Sequence, residues 1–404
     1  MAYYRAVGDI PPKRHTQHRD RVGSLLFEEL VGAEGFSSDS SLLYHRTMPT
    51  AIVASREWDL GSTTTQPNHP LRARHFRLHG LFNGDSTQTD AVRGRRVILG
   101  NADVRLSYVV AGQPSPLYRN ALGDECVYLE SGQATVETVF GALTVGSGDY
   151  VLIPRSTAHR WLPQGKEELR AYCIEANSHI TPVRRYLSRF GQLLEHAPYC
   201  ERDLRGPEEP LLAEGTGIDV LIKHRDSRSG GMTGSVVTYE NHPFDVVGWD
   251  GCLYPYVFNV ADYEPITGRV HQPPPSHQVF EGNNFVVCNF VPRKLDYHPK
   301  AIPSPYYHSN VDSDEVMFYC GGDYTARVGS GIATGSVSLH PGGIAHGAHP
   351  GAYEGSIGAE FTDELAVMVD TFRPLELGEG GSACEDPDYA WSWSQNGVKH
   401  DAPR

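Results

Sequence analysis

The chain has 404 residues, with 35 Lys+Arg against 49 Asp+Glu for a formal net charge of −14. That surplus repels nucleic acid and anionic membranes, so neither is an expected partner, and it suits a protein that handles small molecules. At roughly 100 to 200 residues per domain, the length implies two or three domains with ample material for a core.

The opening "MAYYRAVGDIPPKRHTQHRD" has no apolar h-region, and no later window is apolar enough to span a membrane, so neither a leader nor an anchor is expected. Between frequent glycines and prolines lie short runs rich in β-branched and aromatic residues: "RRVILG", "VRLSYVVAG", "ATVETVF", "YVLIP", "FVVCNFVP" and "GSVSLH". This pattern predicts a mostly β sandwich or barrel. The best helical segment is "TPVRRYLSRFGQLLEH", residues 181–196, where Thr181 can cap and Pro182 can open the first turn. The charged, Pro-rich "YCERDLRGPEEPLLAEG" after it suggests a boundary near residue 205, giving domains 1–205 and 206–375 with a loose tail, 376–404. Seven cysteines, at 126, 173, 200, 252, 288, 320 and 384, never form a CxxC pair, which argues against a disulfide framework or zinc cluster and for a reducing cytoplasm.

The two halves carry paired motifs. "YRNALGDECVYLESG" places Tyr118, Asn120, Glu125 and Gly132 at the offsets at which "HSNVDSDEVMFYCGG" places His308, Asn310, Glu315 and Gly322. A second block follows each: Gly148, Pro154 and His159 in one half, Gly335, Pro341 and His346 in the other. These blocks resemble the two cupin motifs, in degenerate form. The resemblance implies two double-stranded β-helix (jelly-roll) domains whose facing strands enclose a cavity.

In the second half, His308, Glu315 and His346 would then form a set of two histidines and one carboxylate, the arrangement that leaves positions open on a non-haem Fe(II). In the first half Tyr118 stands where the leading histidine belongs, so only the C-terminal cupin is expected to bind metal. Asp314 alternates to the strand face opposite Glu315, and Asp312 is assigned to solvent. His340 is expected beside the ligands but not among them, and His349 is expected to be exposed.

Longer stretches resemble the homogentisate 1,2-dioxygenase family: "LLFEELVGAEGFSSDSSLLYHRTMPT", "FDVVGWDGCLYPYVFNVADYEPI", and most specifically "PYYHSN" followed by the glutamate, "GGDY" and "SLHPGGIAHG". That resemblance implies that His308, Glu315 and His346 hold Fe(II), that Tyr324 and Asn310 contact substrate beside His346, and that a histidine preceding the catalytic cupin serves as base. His271 is favoured for the base, with His277 as its rival. The implied reaction opens the ring of homogentisate with O2 to give maleylacetoacetate, in tyrosine and phenylalanine catabolism, in a cytoplasmic homo-oligomer, a trimer or hexamer. The gap from His308 to Glu315 is a residue longer than the family's usual one, and the chain is shorter than typical members, which bears on substrate preference. A related bicupin acting on gentisate or another hydroxylated aromatic acid, and a non-redox ligand-binding bicupin, are the alternatives.

Overall fold

The computed structural model describes residues 3–82 and 88–394. Its regular structure is mostly β strand, and two short α-helices occur among the described residues, Ala352–Gly355 and Glu379–Cys384. Among the described residues no helix is long and apolar enough to cross a membrane. The chain divides into two compact units, one of Met1–Thr63, Asp85–Arg95 and Ser107–Asp262, the other of Thr64–Gly84, Arg96–Leu106 and Tyr263–Arg404.

Three expectations need correction. The boundary near residue 205 falls inside the first unit, because the Pro-rich stretch is not a linker: Gly206 and Pro207 are buried, and strand Thr216–Arg225 returns to pair in parallel with Leu117–Asn120. Residues 181–196 form no α-helix. After the strand Thr181–Pro182 and the 3-10 turn Arg184–Tyr186, Leu187 is extended, and Gly191, at φ +88°, closes a turn in which Ser188 N–H bonds Gln192 O at 2.7 Å. The 376–404 segment is not loose as far as residue 394. It adds strand Glu376–Leu377 and a helix to the second unit, and Tyr389 is buried. Residues 395–404 lie outside the described residues.

In the first unit two sheets face each other. Alternation sends Val127, Leu129, Val151, Ile153, Ala171 and Cys173 inward from one, against Tyr118, Ala134, Val136, Leu143, Val145 and Trp161 of the other. The second unit carries an antiparallel run in the order Gln278–Gly282, Phe285–Phe290, Leu365–Thr371, Asp314–Gly321, Ser336–His340, Arg74–Arg77. Both faces of its central strand are covered. Val316 and Phe318 are fully buried on one side, each contributing about 1.5–3 kcal/mol of apolar burial, while Glu315, Met317 and Tyr319 share the other. This face holds the site.

Candidate metal centre

Glu315 lies near the start of strand Asp314–Gly321, while His308 and His346 come from flanking loops tied together by an antiparallel bridge. His308 N–H bonds His346 O, and His346 N–H bonds His308 O, both at 2.9 Å, so the rings lie with centroids 4.3 Å apart. Each ring is oriented by its own loop: Nδ1 of His308 lies 3.1 Å from Tyr306 O, and Nδ1 of His346 lies 3.1 Å from Ile344 O. A carbonyl only accepts, so both Nδ1 atoms carry hydrogen and both Nε2 atoms face Glu315, at 3.3 Å from Oε2 and 3.5 Å from Oε1. Ligand atoms of the three residues all lie within 4.8 Å of one another, the one such cluster of His, Cys, Asp and Glu found among the described residues. His346 Nε2 is buried without a hydrogen-bond partner. Two imidazole nitrogens and a carboxylate oxygen, one nitrogen otherwise orphaned, fit a divalent transition metal.

A second ring of residues holds the glutamate. His340, directly across the sheet from it, places Nδ1 3.1 Å from Glu315 Oε1 and Nε2 3.1 Å from the Tyr389 hydroxyl. Burial, then the charge of Arg327, push His340 down to about 3, so the ring is neutral, donates from Nδ1 and accepts from Tyr389. Burial opposes the charge on Glu315, yet the close approach of His308, His340 and His346 holds its carboxyl well below the usual range. Asp370 faces Glu315 from the other neighbouring strand; burial and then Glu315 raise it to about 8. Asp314 points away, as alternation requires, and accepts Gly342 N–H at 2.9 Å and Leu375 N–H at 2.8 Å.

The first unit repeats this frame and fills it differently. His159 pairs with Tyr118 as His346 does with His308, and Glu125 faces Glu175 as Glu315 faces Asp370. Asp124, like Asp314, caps two loop amides, Arg155 N–H at 2.7 Å and Ile180 N–H at 2.9 Å. Here, however, Arg95 donates to Glu125 at 2.9 Å and to Glu175 at 2.9 Å, Lys223 also bonds Glu175, and Tyr118 O–H donates to Glu125 at 3.1 Å. The fixed cations of the protein neutralise the carboxylate pair.

A cavity of about 150 Å³ in the second unit reaches His308 and Glu315, with apolar walls from Phe290, Met317 and Met368. Both candidate bases line it. His271 is half-buried, Nδ1 4.0 Å from Asp296, and burial lowers its pKa. His277 stacks on Phe290 at 4.5 Å, and burial and Arg293 push it down to about 3. Tyr324 and Asn310 are not on the cavity wall. The Tyr324 hydroxyl lies 3.3 Å from Thr334 Oγ1, its ring edge-on to Tyr319, and Asn310 bonds Ser313 Oγ at 3.1 Å within its own loop. His349, expected to be exposed, is buried against Trp393, centroids 4.1 Å apart, with Nε2 2.8 Å from Ser392 Oγ. Asp370, Arg95 and the cavity-lining Arg327 carried no motif spacing in the sequence; cross-strand register reveals Asp370, and ion pairs to Glu125 and Glu175 reveal Arg95.

Fold and site together define a two-domain cupin whose second unit gathers two histidines and one carboxylate, the donor set of non-haem iron oxygenases. Residues 38–260 match the family described as Homogentisate 1,2-dioxygenase N-terminal, and residues 266–400 match Homogentisate 1,2-dioxygenase C-terminal. The chain belongs to the homogentisate 1,2-dioxygenase family. It is 37% identical, over 97% of its length and 99% of the relative's, to a protein of Saccharolobus solfataricus named as a dioxygenase without a substrate. Two proteins named homogentisate 1,2-dioxygenase are more distant: one from Rhodopseudomonas palustris, 24% identical over 96% of this chain and 90% of its own, and one from Emericella nidulans, 26% identical over 75% and 66%.

Proposed function

We propose that His308, Glu315 and His346 hold Fe(II) and that the protein opens the ring of homogentisate with O2 to give maleylacetoacetate. The observation that carries this reading is the convergence of two Nε2 atoms and a carboxylate at one end of a partly apolar cavity, in a chain of this family. Bound Fe(II) supplies a centre at which dioxygen and an electron-rich ring can react, a step that closed-shell side chains cannot provide.

The residues of the chain do the rest. Phe290, Met317 and Met368 pack against the ring and exclude water. His271, kept neutral by burial, accepts the proton of the ring hydroxyl; His277, at about 3, is too weak a base for that transfer near neutral pH. His340 and Tyr389 hold Glu315 in place. We read the compartment as cytoplasmic, consistent with seven free cysteines, and the assembly, by family likeness alone, as a homo-oligomer.

A second reading keeps the chemistry and changes the acid. Tyr324 and Asn310 lie off the cavity wall, so the contacts that the homogentisate reading implies do not line it, and gentisate or another hydroxylated aromatic acid suits the same centre. Oxygen uptake by the iron-loaded protein on a panel of such acids separates the two. Homogentisate is expected to be preferred over gentisate by at least about tenfold in kcat/KM, which requires about 1.4 kcal/mol of discrimination. Faster turnover of gentisate would transfer the assignment to the second reading, and no uptake with any acid would refute both.

A further inference from the structure

Three cations line the cavity, Arg293, Lys294 and Arg327, and they are not equivalent. Lys294 is exposed. Arg293 is already engaged, with Nη2 3.6 Å from Glu364 Oε2 and its guanidinium over the Phe290 ring at 5.5 Å. Arg327 is held differently. Its Nε–H donates to the Tyr319 hydroxyl at 3.0 Å and an Nη1–H donates to Gly347 O at 2.7 Å, both neutral groups. Among the described residues it forms no ion pair with a carboxylate, and a guanidinium has more N–H donors than these two bonds consume. The site thus contains a rigidly aimed, partly buried positive fork whose natural complement is an anion with two oxygens.

We infer that Arg327 receives the carboxylate of the substrate and thereby makes the cavity select hydroxylated aromatic acids over neutral phenols. This assignment rests on the reading that the ring reacts in this cavity, and it gives to Arg327 the role that family resemblance assigns to Tyr324. The Tyr319 hydroxyl fixes the fork from one side and is itself 3.2 Å from Ser338 Oγ. Its bond to Gly347 O, the residue next to His346, and its place on the wall that also holds His308 and Glu315 set Arg327 beside the centre. Burying a ligand carboxylate in a cavity with Phe290 and two methionines on its walls is unfavourable unless such a partner waits for it. A single flexible hydroxyl is a poorer partner than a pre-oriented fork, because fixing it on binding costs more entropy for each bond formed.

The test is anaerobic calorimetry on the iron-loaded protein, titrated with homogentisate, with gentisate and with their neutral ring analogue, methylhydroquinone. The wild type is expected to bind its preferred acid at least about tenfold more tightly than methylhydroquinone. Arg327→Gln should bring that ratio close to one while leaving the iron content and the methylhydroquinone affinity unchanged. Arg327→Lys, which keeps charge but not the fork and is the milder change for folding, should fall between. Lys294→Gln should keep the wild-type ratio. A ratio that survives in both Arg327 variants, or one that collapses in Lys294→Gln, would overturn the inference. If gentisate rather than homogentisate shows the Arg327-dependent ratio, homogentisate as substrate is refuted and the role of Arg327 stands.

Discussion

His340 shows how much of a candidate metal site can lie in a residue outside the donor set. Fully buried and neutral at about 3, it spends its one N–H on Glu315 and takes a hydrogen bond from Tyr389. Glu315 is thereby aimed as well as charged. Replacing His340 by Leu keeps a similar volume but removes that donor, and losses of this kind typically weaken metal binding by about 10- to 100-fold. The expected outcome is an Fe(II) affinity lowered by that factor with far-UV circular dichroism unchanged; an unaltered affinity would show that Glu315 needs no support from across the sheet.

At the level of elements, the motif glycines have a steric reason. Gly322 sits at φ +77° and a Cβ there would lie 1.9 Å from Asp363 O. Gly343 has a similar φ of +85° but nothing within 4 Å. Gly343→Ala should therefore cost only the left-handed conformation, about 1 kcal/mol, while Gly322→Ala adds a backbone clash and should cost clearly more by urea unfolding. Equal costs would contradict this account. The same elements show what the sequence could reveal. Period-two alternation and the repeated glycine, proline and histidine positions made the strands and the convergence of His308, Glu315 and His346 legible, because both follow from local spacing. The false helix at 181–196 arose from genuine start signals, Thr181 and Pro182, that Gly191 overrode by closing a turn. Arg95, Asp370 and Arg327 were invisible because their meaning comes from register and tertiary approach, which spacing within one segment does not carry.

For the molecule as a whole, one frame is used twice, with Arg95 and Lys223 compensating Glu125 and Glu175 in the first unit. Arg95→Met would leave that buried pair facing each other, and breaking such a pairing typically costs about 3–5 kcal/mol, measurable as a lower unfolding midpoint of this unit. Two groups contribute to its pH dependence in opposite directions. Burial opposes the charge of Glu125, but Arg95 and Lys223 hold its carboxyl far below the usual range, so its stabilisation is present above its unfolded pKa and is lost as pH falls. His45 runs the other way: burial opposes its charge, yet bonds to Asp245 and Glu29 lift it to about 9. Its contribution is complete below about 6.5 and is lost as pH rises to about 9. The alkaline loss of stability should therefore fall between about pH 6.5 and 9, and His45→Asn should flatten it; an alkaline loss that persists in His45→Asn would remove His45 as its cause. The central claim, that the chemistry resides in the second unit alone, is tested most directly by the iron content of three proteins purified and reconstituted with Fe(II) under one protocol. The wild type and His159→Ala are expected to hold about one iron per chain and Glu315→Ala almost none. Wild-type iron in Glu315→Ala, or equal loss in His159→Ala, would contradict it.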